Sequence, residues 1–126
     1  MIEIFITPVP KPRMTRSDKW KKRPVTDRYW AFKDELLKQL KGNLEPRFHV
    51  IFYIPMPKSW SKKRKLEMNG KPHQVRPDVD NYEKSFMDAL CEDDSYIYDV
   101  RAEKYWAVRG RIILIEGDEY ERESRN

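Results

Sequence analysis

In the stretch "RPDVDNYEKSFMDAL", residues 76–90, Asp78 and Asp80 flank a single valine, and Lys84 and Asp88 follow Asp80 at steps of four. On a helix of 3.6 residues per turn, positions four apart drift by only about 40°, so Asp80, Lys84 and Asp88 form one stripe. Tyr82, Phe86, Ala89 and Leu90 gather on the opposite side, which makes the segment an amphipathic helix with an acidic start. Carboxylates suit Mg²⁺, a hard ion that keeps several waters and commonly binds through one or two carboxylates plus substrate phosphates. Asp93 and Asp94, in the loop after the helix, could supply a further ligand. Such a cluster fits phosphodiester hydrolysis, in which metal ions neutralise the scissile phosphate, activate a bound water and stabilise the leaving oxygen. Lys84 could position that water or steady the charge that develops on the phosphate.

Each residue also has an ordinary reading. Asp78 or Asp80 could cap the helix and complement its dipole, and Lys84 could pair with Asp80 and Asp88 as an exposed ladder. For Asp88 the ordinary and the functional readings are level. For Asp78 with Asp80 the functional reading is stronger, because one carboxylate suffices for a cap. Alternate residues of an extended segment point to opposite sides, so the chain must turn into the helix for both acids to converge. Other chemistries lack their residues. In an EF-hand reading of "DVDNYEKSFMDA" the third ligand position holds Tyr82 and the required glycine position holds Glu83. There is no Walker loop, HExxH or GxSxG, two histidines and one cysteine are too few for zinc, and nothing calls for an organic cofactor.

The chain around this stretch is basic. Its 126 residues suggest one domain, and 26 Lys and Arg against 21 Asp and Glu leave a net charge of +5, which favours polyanionic partners. Residues 10–24 hold seven basic side chains against one acid, among them Lys11, Arg13, Arg16, Lys21, Lys22 and Arg23. Residues 58–76 again hold seven against one, including Lys62, Lys63, Arg64, Lys65, Lys71 and Arg76. Both segments read as DNA-phosphate contacts, with Trp20, Trp60 and His73 as stacking or wedging groups. Lys-rich segments are also often plain solvated faces; the acidic stretch directly after the second one favours the functional reading. No apolar run of 18 residues exists and the start has no signal-peptide pattern, which argues against membrane spanning and secretion. A single cysteine, Cys91, makes no internal disulfide, so a cytoplasmic setting is expected.

Hydrophobic periodicity supplies the elements that must position these residues. "IEIFIT" alternates as a strand stopped by Pro8 and Pro10, and "DRYWAFKDELLKQLKG" carries Tyr29, Phe32, Leu36, Leu37 and Leu40 at helical spacing after Thr26, a plausible N-cap. "RFHVIFYIP" predicts a central strand covered on both faces, in which His49 reads as a packed residue rather than a ligand. Ser59 or Ser61 could cap a short basic helix ending at Gly70, and the acidic helix follows. "SYIYDVRAEKYWAV" and "RIILIE" read as an antiparallel pair around Gly110. The expectation is an α/β (α+β) fold, a mixed β-sheet flanked by α-helices, with one domain over residues 1–116 and a flexible acidic tail over residues 117–126.

The motif "RPDVDNYEKSFMDAL" followed by "DDSYIYDVRAEK" resembles the RusA family of Holliday junction resolvases, found in bacteria and their phages. The family signature is an Asp-x-Asp-Asn pair, a Lys four residues on, a "DAL" helix end and a later Asp-Asp pair. "PVPKPRMTR" and "MPKSWSKKRKLEMNGKPH" resemble phage-type members, so the likeness covers nearly the whole chain. The resemblance implies a Mg²⁺-dependent homodimeric endonuclease, with Mn²⁺ a plausible substitute, that binds four-way branched DNA and nicks two strands symmetrically in recombination and repair. It implies Asp78, Asp80 and Asp94 as catalytic metal ligands, Lys84 as the catalytic lysine, Asp93 and Asp88 as possible additional acids, and a sheet formed or extended across the homodimer. In one departure, only Cys91 and Glu92 separate "DAL" from "DD", fewer than in relatives, which leaves the choice between Asp93 and Asp94 open. A branched-DNA-binding protein of the same fold that no longer cuts is the alternative, and an RNA-binding or ribosome-associated protein is a third reading.

Overall fold

The computed structural model describes residues 1–12 and 24–124. Along the chain run β1 (Ile2–Ile4), α1 (Pro24–Gln39), β2 (Arg47–Pro55), α2 (Lys62–Met68), α3 (Val79–Leu90), β3 (Asp99–Ala107), β4 (Arg111–Glu116) and α4 (Asp118–Ser124). The strands form one mixed sheet in the order β1-β4-β2-β3. β2 runs parallel to β3 and antiparallel to β4, and β1 pairs antiparallel with β4. The α+β class with helices on a mixed sheet is therefore observed.

The core follows from strand alternation. Phe48, Val50, Phe52 and Ile54 of β2 point to one face, where they meet Ile112 and Leu114 of β4 and the apolar stripe of α3, Tyr82, Phe86 and Ala89. Phe52 contacts both Tyr82 and Phe86 by ring edges and faces, at centroid distances of 5.7 and 6.1 Å. Phe32 and Leu36 of α1 complete this layer, so α3 is held between the sheet and α1. Burial of that stripe fixes the rotation of α3, and with it the direction in which its charged stripe faces.

Four expectations change. The strand predicted over "IEIFIT" stops at Ile4, because the Gln39 side-chain amide takes both backbone groups of Phe5, at 2.9 and 3.0 Å. β3 and β4 do not pair with each other; β2 lies between them. Residues 56–98, including α2 and α3, form the crossover that lets β3 lie parallel to β2. Pro55 and Pro57 end β2, and the connection at Val108–Gly110 passes over that end to reach β4. Gly110 is needed there, since a Cβ would sit 2.6 Å from the Thr7 Cα.

The third change concerns residues 117–124, predicted as a fraying tail. Asp118–Ser124 is the helix α4, and it packs on the sheet face opposite α3. Tyr120 is buried and its hydroxyl donates to Asp99 Oδ1 at 2.9 Å, while Arg47 bridges Asp99 at 3.1 Å and Glu121 at 2.6 Å. His49 is buried between Glu103 and Glu123, so it is a packed strand residue as its surroundings in sequence suggested. α4 covers only part of this face: Ile51 and Tyr53 of β2 stay half-buried, whereas both faces of β2 were expected to be covered.

Candidate active site at the start of the acidic helix

α3 begins where the sequence places it. Asp78 is its N-cap in an extended conformation (φ −67°, ψ 156°), and the Asp78 carbonyl accepts from Asn81 N–H at 3.1 Å. Its carboxylate, however, makes no capping hydrogen bond. The capping role that would explain an aspartate here is not exercised, and an exposed carboxylate is left facing solvent. Asp80 lies in the first turn and is exposed as well. Glu83, one turn from Asp80, is half-buried; burial and then the neighbouring Asp80 charge push its carboxyl above the ordinary range. Glu83, an acid with no role assigned from the sequence, thus senses Asp80 within the first two turns of α3.

Lys84 is exposed on the same stripe. The predicted ladder of Lys84 with Asp80 and Asp88 is not formed among the described residues. Asp88 pairs with Lys11 instead, at 3.5 Å, and the same ammonium lies 4.1 Å from the Tyr29 ring centroid. Asp88 and Lys11 therefore tie the N-terminal segment to α3 and α1, with Lys11 N–H donating to the Asn81 carbonyl at 3.0 Å.

Asp93 and Asp94 are at the other end of the helix. The 12 residues of α3 span about 18 Å, so within one chain these acids do not join Asp78 and Asp80. Asp93 Oδ1 accepts from Ser95 N–H at 3.0 Å, which holds its carboxyl below the ordinary range. The Asp94 carbonyl accepts from Ile97 N–H at 3.0 Å, and its side chain is exposed. Among the described residues no group of three or more His, Cys, Asp or Glu side chains is set to hold a metal ion. The fit to Mg²⁺ therefore rests on the oxygen donors of Asp78 and Asp80, a number that suffices for an ion completing its shell with water and substrate phosphate.

The basic surface is partly described. Ser61 caps α2 by accepting from Arg64 N–H at 3.1 Å, and Gly70 at φ 81° ends it as expected. Lys62, Lys63, Arg64, Lys71 and Arg76 are exposed and Lys65 is half-buried. Arg13, Arg16, Trp20, Lys21, Lys22 and Arg23 lie outside the described residues. Trp60 and His73 are not free stacking groups. Trp60 packs on Trp106 with centroids 4.8 Å apart and carries the Arg64 guanidinium at 4.0 Å; His73 is buried 4.2 Å from Trp106. Burial, and next the Lys104 charge, lower the His73 pKa. Both rings belong to the packing that joins α2 to β3.

No solved structure matches the chain. YqaN, an uncharacterized protein of Bacillus subtilis (strain 168), is 40% identical over 71 residues, which is 50% of this chain and 50% of the relative. The chain thus spans about half the length of that curated relative. The family model described as endodeoxyribonuclease RusA matches residues 6–115, a span that contains α1 to α3, β2, β3, β4 up to Ile115 and every candidate acid. The chain belongs to the RusA endodeoxyribonuclease family.

Proposed function

We propose that this protein is a Mg²⁺-dependent, structure-selective DNA endonuclease that resolves Holliday junctions by paired symmetric nicks, acting as a homodimer in DNA recombination and repair. The observation that carries the reading is the pair of exposed carboxylates at the start of α3, Asp78 unspent on capping, in a chain of a nuclease family. Asp78 and Asp80 would hold the ion, which when bound would supply charge neutralisation and an activated water. Lys84, one turn along, would hold a phosphate oxygen where negative charge grows. Exposed Lys62, Lys63, Arg64, Lys71 and Arg76 would grip neighbouring phosphates and offset the repulsion that bare acids exert on DNA. Two nicks related by a two-fold axis call for two such sites, one from each copy.

Asp94 has a defined place in this proposal. Since α3 separates it from Asp78 and Asp80 within one chain, a ligand role for Asp94 requires the second copy of the homodimer to present it. The test of the whole reading is cleavage of a synthetic mobile four-way junction in Mg²⁺ by wild type and by Asp80→Asn. Wild type should cut and the variant should not. Equal rates, or no cleavage of any branched DNA by wild type, overturn the proposal. Junction binding that persists in EDTA without any nicking in Mg²⁺ would instead support a binding protein of the same fold.

A further inference from the structure

We infer that Lys104 is a positioning residue for the Asp78–Asp80 site. This inference rests on the nuclease reading above and extends it to a residue on a different element. Lys104 is on β3, on the same face as Trp106, which is the face that α3 covers. Its Nζ donates to His73 Nδ1 at 3.0 Å, to the Val75 carbonyl at 2.6 Å and to the Pro77 carbonyl at 2.6 Å. An ammonium has three donors and no acceptor, so every donor is used. The arrangement also fixes the histidine: His73 Nδ1 accepts, which leaves its proton on Nε2, and its backbone N–H donates to the Lys104 carbonyl at 3.1 Å.

The three partners are successive anchor points on the segment that delivers Asp78 to the helix. Pro77 precedes Asp78 directly, so the bond to its carbonyl sets the direction in which the chain turns into α3. The ammonium also attracts the Asp78 carboxylate electrostatically. A Lys at this place converts a loop of exposed residues (Gln74, Val75 and Arg76) into a braced approach with one end on β3. Misplacement of a reacting group by about 1 Å can cost 100-fold in rate, so the bracing has a kinetic consequence. Lys104 touches no DNA in this account; it acts through Val75, Pro77 and Asp78.

The test uses Lys104→Met in the full chain, with amide hydrogen exchange as a readout that needs neither DNA nor metal. Exchange at Asn81, whose N–H donates to the Asp78 carbonyl, should quicken at least 10-fold, with β2 and β4 amides unchanged. In junction cleavage kcat should fall at least 10-fold with KM within twofold of wild type. In a Cys91→Ser background, Lys104→Cys aminoethylated to a lysine mimic should recover both properties. Unchanged exchange at Asn81 overturns the inference, as does an unchanged kcat of Lys104→Met when wild type cuts. Uniformly faster exchange across β2 and β4 also overturns it, since Lys104 would then be a general stability residue. If Lys104→Met does not fold, Lys104→Gln is read by the same two measurements. A wild type that cuts no branched DNA refutes the nuclease reading, while exchange still decides whether Lys104 orders the segment.

Discussion

Replacing Asp78 by alanine and by asparagine separates what this residue does for α3 from what it does for DNA. Ser61, which does cap its helix with a 3.1 Å bond to Arg64 N–H, sets the scale. Its loss in Ser61→Ala should cost about 1 kcal/mol, or about 4 °C in Tm for a chain of this length. Asp78 makes no such bond. Asp78→Ala therefore forfeits no cap bond, only the attraction of an exposed charge to the helix N-terminus and to the Lys104 ammonium, together about 0.5 kcal/mol and about 2 °C. Asparagine loses the same charge but keeps full capping ability, so with no cap bond to lose the two variants should melt within about 2 °C of each other. Both remove a proposed metal ligand, and cleavage of a labelled junction in Mg²⁺ should drop at least about 100-fold, the scale seen when one charge-stabilising group is deleted from an active site. Thermal melts followed by circular dichroism in EDTA, with single-turnover cleavage alongside, provide both numbers. An alanine variant melting about 4 °C or more below the asparagine variant would make Asp78 a structural cap, and wild-type cleavage by either would remove it from the site.

Three further outcomes follow from the same geometry. Glu83 has its pKa raised by burial and by Asp80, so its contribution to stability is full below the ordinary carboxylate pKa and is lost as pH rises through the higher folded value. Glu83→Gln should accordingly raise Tm at pH 7 in EDTA and leave it unchanged well below pH 4; a lower Tm at pH 7 would contradict that sign. Tyr120→Ala should cost about 3 kcal/mol because the ring is buried under α4, whereas Tyr120→Phe, which loses only the Asp99 bond, should cost about 1 kcal/mol by denaturant titration. A Tyr120→Ala protein as stable as wild type would mean that residues 118–124 do not pack. In the proposed homodimer, mixing Asp80→Asn with Asp94→Asn, each expected to be inactive alone, should restore nicking of one strand, because one site of each hybrid would then be wholly wild type. Failure of hybrids to nick would exclude ligation of the metal across the dimer.

Much of the site was legible because its signal is local. The four-residue spacing of Asp80, Lys84 and Asp88 and the opposite stripe of Tyr82, Phe86 and Ala89 define α3 without reference to the rest of the chain. Ser61 and Gly70 bound α2 for the same reason. Long-range pairing was not legible. "RIILIE" is apolar enough to pair with any strand, and its place beside β2 rather than β3 is decided by the sheet as a whole. α4 was hidden because its polar composition conceals its one buried side chain, Tyr120, and the ion pairs of Glu121 and Glu123 with β2. Trp60 and His73 looked like free aromatic groups in a basic segment, yet Trp106, more than 30 positions away, absorbs both. Lys104 carries no motif at all, and its role depends on carbonyls at positions 75 and 77 that no pattern of side chains reveals. The same holds for the distance between Asp94 and Asp78, which is a property of the helix between them.

The most direct test of the account is a crystal of the protein soaked in Mn²⁺, read by anomalous scattering. The expected result is a metal peak within bonding distance of carboxylate oxygens of both Asp78 and Asp80, lost in Asp80→Asn crystals. Well-occupied Mn²⁺ elsewhere on the protein, with none at Asp78 and Asp80, would contradict the account.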